Sequence, residues 1–303
     1  MVYYRRSLPG ISVFCYNDSM KAFPECVSCM IRQAIEILAR VEKNPKKRQQ
    51  ILARVLKKIA TVDLAKVNPP ELTKVAHKII HKMTGIDDLY EQLKKQNNKE
   101  ALSLYPYAKN LVKKAKEPLL MAIRIAIAGN IIDYGALADF NIKKTIQEVL
   151  NKKFAVLDYK KFKKDVKKSK LLLYIGDNAG EIAFDRILVE ELVEFTKVVF
   201  VVKSKPVLND VLMADAKMVG LDKVVKVIKS GSDYAGTNPK SATKAFKTLY
   251  NMANMVIAKG QGNFETLDQE KKNIYFMLKM KCPCLAQSCH LSKGDIILQS
   301  SKS

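Results

Sequence analysis

The sequence predicts an α/β protein in which an all-helical N-terminal domain is followed by a doubly wound, mostly parallel sheet. Three observations carry this. Up to about residue 150 apolar residues recur at helical spacing with no convincing strand, whereas from residue 171 short β-branched runs alternate with helical patterns. A length of 303 residues with 48% hydrophobic content is enough to fill a large core. The stretch 171–175, Leu-Leu-Leu-Tyr-Ile, is continuously apolar and stops abruptly at a polar turn, as a strand covered on both faces does.

Taken in order, residues 1–19 show no period and read as an N-terminal extension. The helical domain is assigned to 20–152 and the sheet domain, which carries the site, to 153–303. From Pro24, the residues Met30, Ala34, Ile37, Leu38 and Val41 mark one side of an amphipathic helix. A second helix is expected over 46–59, and a third after Asn68-Pro69-Pro70, where asparagine and proline supply a start signal. Helix is also expected over 89–95 and 99–132, broken near Pro106 and Pro118. The apolar part of that segment contains Arg124 and Asn130, is too short to span a bilayer, and reads as a buried helix. The lysine-rich stretch 160–170 reads as a linker. Strands are expected at 171–175, 198–202, 224–228, 255–258 and 274–278, with helices at 180–195, 206–219 and 240–252.

Lysine and arginine outnumber acidic residues by 53 to 30, giving a formal charge of +23. Such a field attracts phosphorylated metabolites or nucleic acid, and is also what a heavily solvated surface produces. Six cysteines in a chain of this length do not form a secreted disulfide scaffold, and no leader pattern stands at the start, so a cytoplasmic location is expected.

Chemistry concentrates where strands end. The turn Asp177-Asn178-Ala179-Gly180-Glu181 joins a buried strand to a helix, the place where α/β sheets bind ligands and where helix amides favour an anion. Oxygen ligands there suit a hard cation, although aspartate and asparagine also cap helices. A second strand end carries Lys203 and Ser204, then Asn209, Asp210 and Asp215. The third carries Lys259-Gly-Gln-Gly-Asn-Phe-Glu265, whose glycines allow close backbone approach and whose lysine offers a point charge. It lacks the third glycine of a dinucleotide fingerprint. A lysine ending a buried strand needs an anion or carboxylate beside it, and the substrate phosphate is the expected partner.

Together these segments, with Ala128-Gly-Asn-Ile-Ile-Asp133 and Cys26-x-x-Cys29, resemble the damage-control phosphatases, a family first catalogued as domain of unknown function 89. The cysteine pair is typical of its archaeal-type branch. The resemblance implies a metal-dependent phosphomonoester hydrolase with a helical domain on a Rossmann-like core. It places metal ligands on Asp177, Asn178 and Asp215, a phosphate-binding lysine on Lys259, and Asp177 and Lys259 in catalysis. The metal would be Mn, Mg, Co or Ni, and the substrates small phosphorylated metabolites such as damaged or surplus sugar phosphates or nucleotides. Ala179, Gly180, Glu181, Ser204 and Asn263 fall on the substrate side, the first two through their amides, with Asn130 and Asp133 facing them from the helical domain.

Cys26, Cys29, Cys282 and Cys284 form close pairs from opposite ends of the chain, and suit a structural metal cluster, a disulfide or two buried thiol pairs. His77 and His81 share a helix face, but no glutamate completes a zinc-protease motif, and they read as surface histidines on a packing helix. Two further functions stay open beside the phosphatase. One is a methyltransferase using a nucleoside-bearing donor at the acidic turn. The other is a basic nucleic-acid-binding protein without catalysis, although no recognised nucleic-acid module is present and aromatic residues do not cluster with the lysines.

Overall fold

The computed structural model describes residues 20–130 and 142–302. The expected extension over 1–19 and the candidate residue Asp133 lie outside them.

Proline opens four helices of the N-terminal half: α1 (Pro24–Val41), α2 (Pro45–Ile59), α3 (Pro69–Thr84) and α5 (Pro118–Gly129). Its fixed φ suits the first turn, where its missing N–H is not needed. Asn68 adds a reciprocal cap to α3, its Oδ1 accepting from Glu71 N while Glu71 Oε2 accepts from Asn68 N. The helix α4 (Glu91–Lys114) runs through Pro106 without the expected break. Its buried stripe of Ala101, Leu104, Ala108 and Val112 continues across the proline, so packing outweighs a local cost of about 3 kcal/mol.

After α6 (Ile142–Asn151) the chain forms β1 (Phe154–Leu157) and α7 (Tyr159–Lys168). The lysine-rich stretch is therefore a helix and not a linker. Its Phe162 and Val166, one turn apart, are buried under the sheet while the lysines face outward. Then come β2 (Leu171–Ile175), α8 (Glu181–Leu192), β3 (Lys197–Val202), α9 (Met213–Met218), β4 (Lys226–Lys229), α10 (Lys244–Met252), β5 (Met255–Lys259), α11 (Gln261–Leu267), β6 (Ile274–Lys279), α12 (Pro283–Ser288) and β7 (Ile296–Ser300).

The seven strands lie in the order β1-β7-β6-β5-β2-β3-β4, all pairs parallel except β6 with β7. Along β2, Leu172 and Tyr174 face a layer containing α4, α5, α7 and α8, while Leu173 and Ile175 face α10, α11 and α12. Coverage on both faces explains the unbroken apolar run. A third apolar cluster holds α1, α2 and α3 together. The strand order reverses between β2 and β5, and an open α/β sheet leaves a crevice beyond the strand ends at such a point. No described helix is long and apolar enough to cross a membrane.

Candidate active site

Two loops form the crevice floor by pairing with one another. Residues 206–212 are not the start of the expected helix; α9 begins only at Met213, and the preceding segment turns at 208–209 and bridges through Asp210 to the turn after β2. Asn178 stands opposite Asp210 in an antiparallel bridge, flanked by Val211 N donating to Asp177 O at 2.8 Å and Ala179 N donating to Asn209 O at 2.9 Å. From the other side β5 closes in. A Cβ on Gly260, whose φ is +79°, would stand 1.9 Å from Asp177 Oδ2, so only glycine fits against that carboxylate.

Asp177 Oδ2 accepts from Asn130 Nδ2 at 2.9 Å and from Asn178 Nδ2 at 2.7 Å. Asn130, at the end of α5, also donates to Glu181 Oε2 at 2.8 Å, and its own Oδ1 is buried without a hydrogen-bond partner. Burial, then repulsion from Glu181 and Asp210, pushes the Asp177 carboxyl well above the usual carboxylate range, while Lys281 and Lys203 pull it back. Asp210 is raised by burial to about 6, with Lys203 opposing at 3.4 Å. Lys203 also donates to Gly236 O.

Several expected site residues have other engagements here. Both oxygens of Asp215 are engaged: its Oδ2 accepts from Leu212 N at 2.8 Å, capping α9, and its Oδ1 accepts from Asn98 Nδ2 at 2.8 Å. Asp210 is the carboxylate that the loop pairing sets beside Asp177. The amides of Ala179 and Gly180, assigned to phosphate, are already spent on Asn209 O and on Asn98 Oδ1, the latter at 2.7 Å. Asn263 donates to Gly176 O and Lys259 O and accepts from Thr237 Oγ1, so its amide staples the strand ends together. Ser204 Oγ stays at the rim and accepts from Gly231 N at 2.6 Å.

Lys259 is fully enclosed, and carboxylates of the protein itself occupy the place expected for a substrate phosphate. Its ammonium donates to Glu181 Oε1, to Asp185 Oδ1 at 2.6 Å and to Ala126 O at 3.0 Å. Burial works against its charge, but Asp185 and Glu181 outweigh that and hold its pKa above the ordinary lysine value. Burial lifts Asp185 to about 7 even with Lys259 beside it, and Tyr174 donates to it at 2.7 Å. A lysine that the strand pattern missed, exposed Lys281 just beyond β6, is the leading positive influence on Asp177. The only available signal was its position after a strand.

Cys26, Cys29, Cys282 and Cys284 are free thiols. Cys282 and Cys284 act on Cys26, whose thiol burial pushes up to about 11, so the two ends of the chain do meet there. Cys29 is exposed and lies 3.8 Å from Arg32. Among the described residues no group of three or more His, Cys, Asp or Glu is arranged to hold a metal ion, so of the three arrangements the cysteines suited, neither the four-thiol metal cluster nor the disulfide is formed. His77 is half-buried and stacks on Tyr90, while His81 is exposed.

Comparison with known proteins agrees with this architecture. Residues 22–297 match the damage-control phosphatase ARMT1-like domain. A damage-control phosphatase of Pyrococcus horikoshii is 33% identical over 93% of this chain and 99% of its own length. An uncharacterized protein of Methanocaldococcus jannaschii is 34% identical over 93% of this chain and 96% of its own. The crystal structure of a DUF89 family protein from Pyrococcus horikoshii superposes with a TM-score of 0.87 at 31% identity, covering 93% of this chain and all of that one.

The enclosed lysine generates a first prediction. Lys259→Met leaves Glu181 and Asp185 buried and unpaired, so chemical denaturation should show a loss of about 3–5 kcal/mol, and an unchanged midpoint would contradict the ion triad. A second concerns Glu265 of α11, which burial raises to about 7 against its 2.7 Å bond from Gln261. Its folded pKa lies above the unfolded one, so the folded state holds the extra proton, and the stability this contributes is full below about pH 4.3 and lost as pH rises through 7. Relative to Glu265→Gln, the wild type should therefore lose stability between pH 5 and pH 8; a constant difference in melting temperature would refute it.

Proposed function

This chain belongs to the damage-control phosphatase family, and from that premise we propose that it is a metal-dependent phosphatase of small phosphorylated metabolites, sugar phosphates or nucleotides, with Mn, Mg, Co or Ni as the metal. The observation that carries the reading is the pairing of 177–179 with 209–211, which sets Asp177, Asn178 and Asp210 together at the switch-point crevice.

The residues present fit a hard cation. Asp177, Glu181 and Asp210 repel one another in a desolvated recess, and the buried Asn130 Oδ1 has no hydrogen-bond partner. Two carboxylates and an amide oxygen form an all-oxygen set of the kind divalent cations take. Asp177, Asn178 and Asp210 would hold the ion, in place of the Asp215 that the resemblance implied. When bound, the ion would polarise the phosphoryl group and lower the cost of charge on its oxygens.

The other residues provide orientation. Asn130 and Asn178 hold Asp177 Oδ2, leaving the rest of that carboxylate directed at the crevice. Lys281, exposed at the rim, would meet the substrate's phosphate as a point charge, the role assigned from sequence to Lys259. Lys259 would act from below, holding the Glu181 side chain, and with it α8, in place. Family membership and an acidic floor favour this reading over methyl transfer and over nucleic-acid binding.

A screen of phosphorylated metabolites against divalent metals is the test. Turnover should vanish in excess chelator and return with metal, and Asp177→Asn should weaken both metal binding and kcat. Lys281→Met should lower kcat/KM by about 10²-fold, the scale of a lost transition-state donor, while metal affinity survives. Full activity in chelator, with metal verified absent, would sink the proposal; normal kinetics in Lys281→Met would remove that lysine from it.

A further inference from the structure

Asn98 lies about two turns into α4, in the helical half of the chain, and has no exposed surface. Both ends of its amide are used. Nδ2 donates to Asp215 Oδ1 at 2.8 Å, and Oδ1 accepts from Gly180 N at 2.7 Å. These partners sit on the two different loops whose pairing creates the acidic floor. Gly180 follows Asn178 by two residues and has φ +80° with ψ −59°, the tight turn that starts α8. Asp215 accepts from Leu212 N, which fixes the end of the 209–211 segment to the first turn of α9.

The backbone pairing of the loops sets their register but not the separation between the helices that follow them. Asn130 reaches only the β2 turn, and Lys94, one turn before Asn98, reaches Asp215 at 3.8 Å while being held by Asp88 at 2.5 Å. Asn98 joins both sides through one planar amide. We propose that Asn98 is a positioning residue, a brace from the helical half that sets the spacing of Asn178 and Asp210 and thereby the affinity of the crevice for a divalent cation. This rests on the reading of the crevice as a metal site.

A buried amide bonded to a carboxylate on one side and an amide N–H on the other is not replaceable by either half alone. A serine is too short to span both partners. An aspartate keeps an acceptor for Gly180 N but sets a second carboxylate against Asp215, unless it carries a proton. The two substitutions therefore fail in distinguishable ways.

The test uses the full chain and Mn²⁺ alone as probe, with free Mn²⁺ read by electron paramagnetic resonance. In N98S at pH 7.5 the dissociation constant should rise about tenfold, corresponding to one lost hydrogen bond to a charged group, and the Gly180 amide should lose hydrogen-exchange protection. With a phosphoester that the wild type hydrolyses, kcat should return towards the wild-type value at saturating Mn²⁺. N98D should bind Mn²⁺ weakly at pH 8 and recover relative to wild type at pH 6, where the introduced carboxyl can hold the proton it needs to donate. If N98S does not fold, N98D at the two pH values supplies the same comparison. A lower melting temperature with unchanged Mn²⁺ affinity in the folded variants would overturn the brace and leave Asn98 a packing residue. Absence of Mn²⁺ binding by the wild type would overturn the metal reading itself.

Discussion

The ammonium of Lys259, sealed between the carboxylates of Glu181 and Asp185, is the constraint on which the crevice depends. Taking three charged groups out of water carries a desolvation cost of several kcal/mol each, which only close mutual pairing offsets. Burial, with repulsion from Glu181 added to it, is why Asp185 sits near 7 although it touches a lysine. The pairing spans the point where the strand order reverses: Lys259 ends β5, while Glu181 and Asp185 lie in the helix that follows β2. Ala126 O ties the same ammonium to α5, and Tyr174 of β2 donates to Asp185. Sheet and helical layer are thus registered at the place where chemistry is assembled.

Above that base, the crevice divides its polar residues by depth. Lys259, Asn263 and Asp185 are enclosed and act on the scaffold. Asp177 and Asn178 are half-buried at the mouth, with exposed Lys281 beyond them. Gly260 separates the two levels, since any side chain there would displace the Asp177 carboxylate. The chain's 53 basic residues outnumber its 30 acidic ones, and this field surrounds an acidic recess, a pattern that draws anions towards it.

Much of this was legible in the sequence. The apolar run at 171–175 located the central strand, and the turn after it located Asp177 and Asn178, because burial and chain reversal there depend on local residue types. What escaped depends on contacts between distant segments. Asp210 and Asp215 cannot be ranked by spacing when the segment before α9 is a turn and a bridge rather than a helix; the pairing with 177–179 brings Asp210 opposite Asn178. Lys259 was correctly expected to need an anion, but whether that anion is a substrate or Glu181 is set by how α8 packs. Asn98 carries no local signal, lying in a polar run on a long helix. The lysine-rich α7 was missed because its charge obscured two apolar residues one turn apart.

The most direct measurement is anomalous scattering at the manganese edge from crystals grown with Mn²⁺ and inorganic phosphate. The structure leads us to expect a single strong peak within ligand distance of Asp177, Asn178 and Asp210, with phosphate near Lys281 and Lys259 still enclosed between Glu181 and Asp185. A peak bound by Asp215 with Asp210 excluded, or a Lys259 side chain drawn out to the phosphate, would contradict the account.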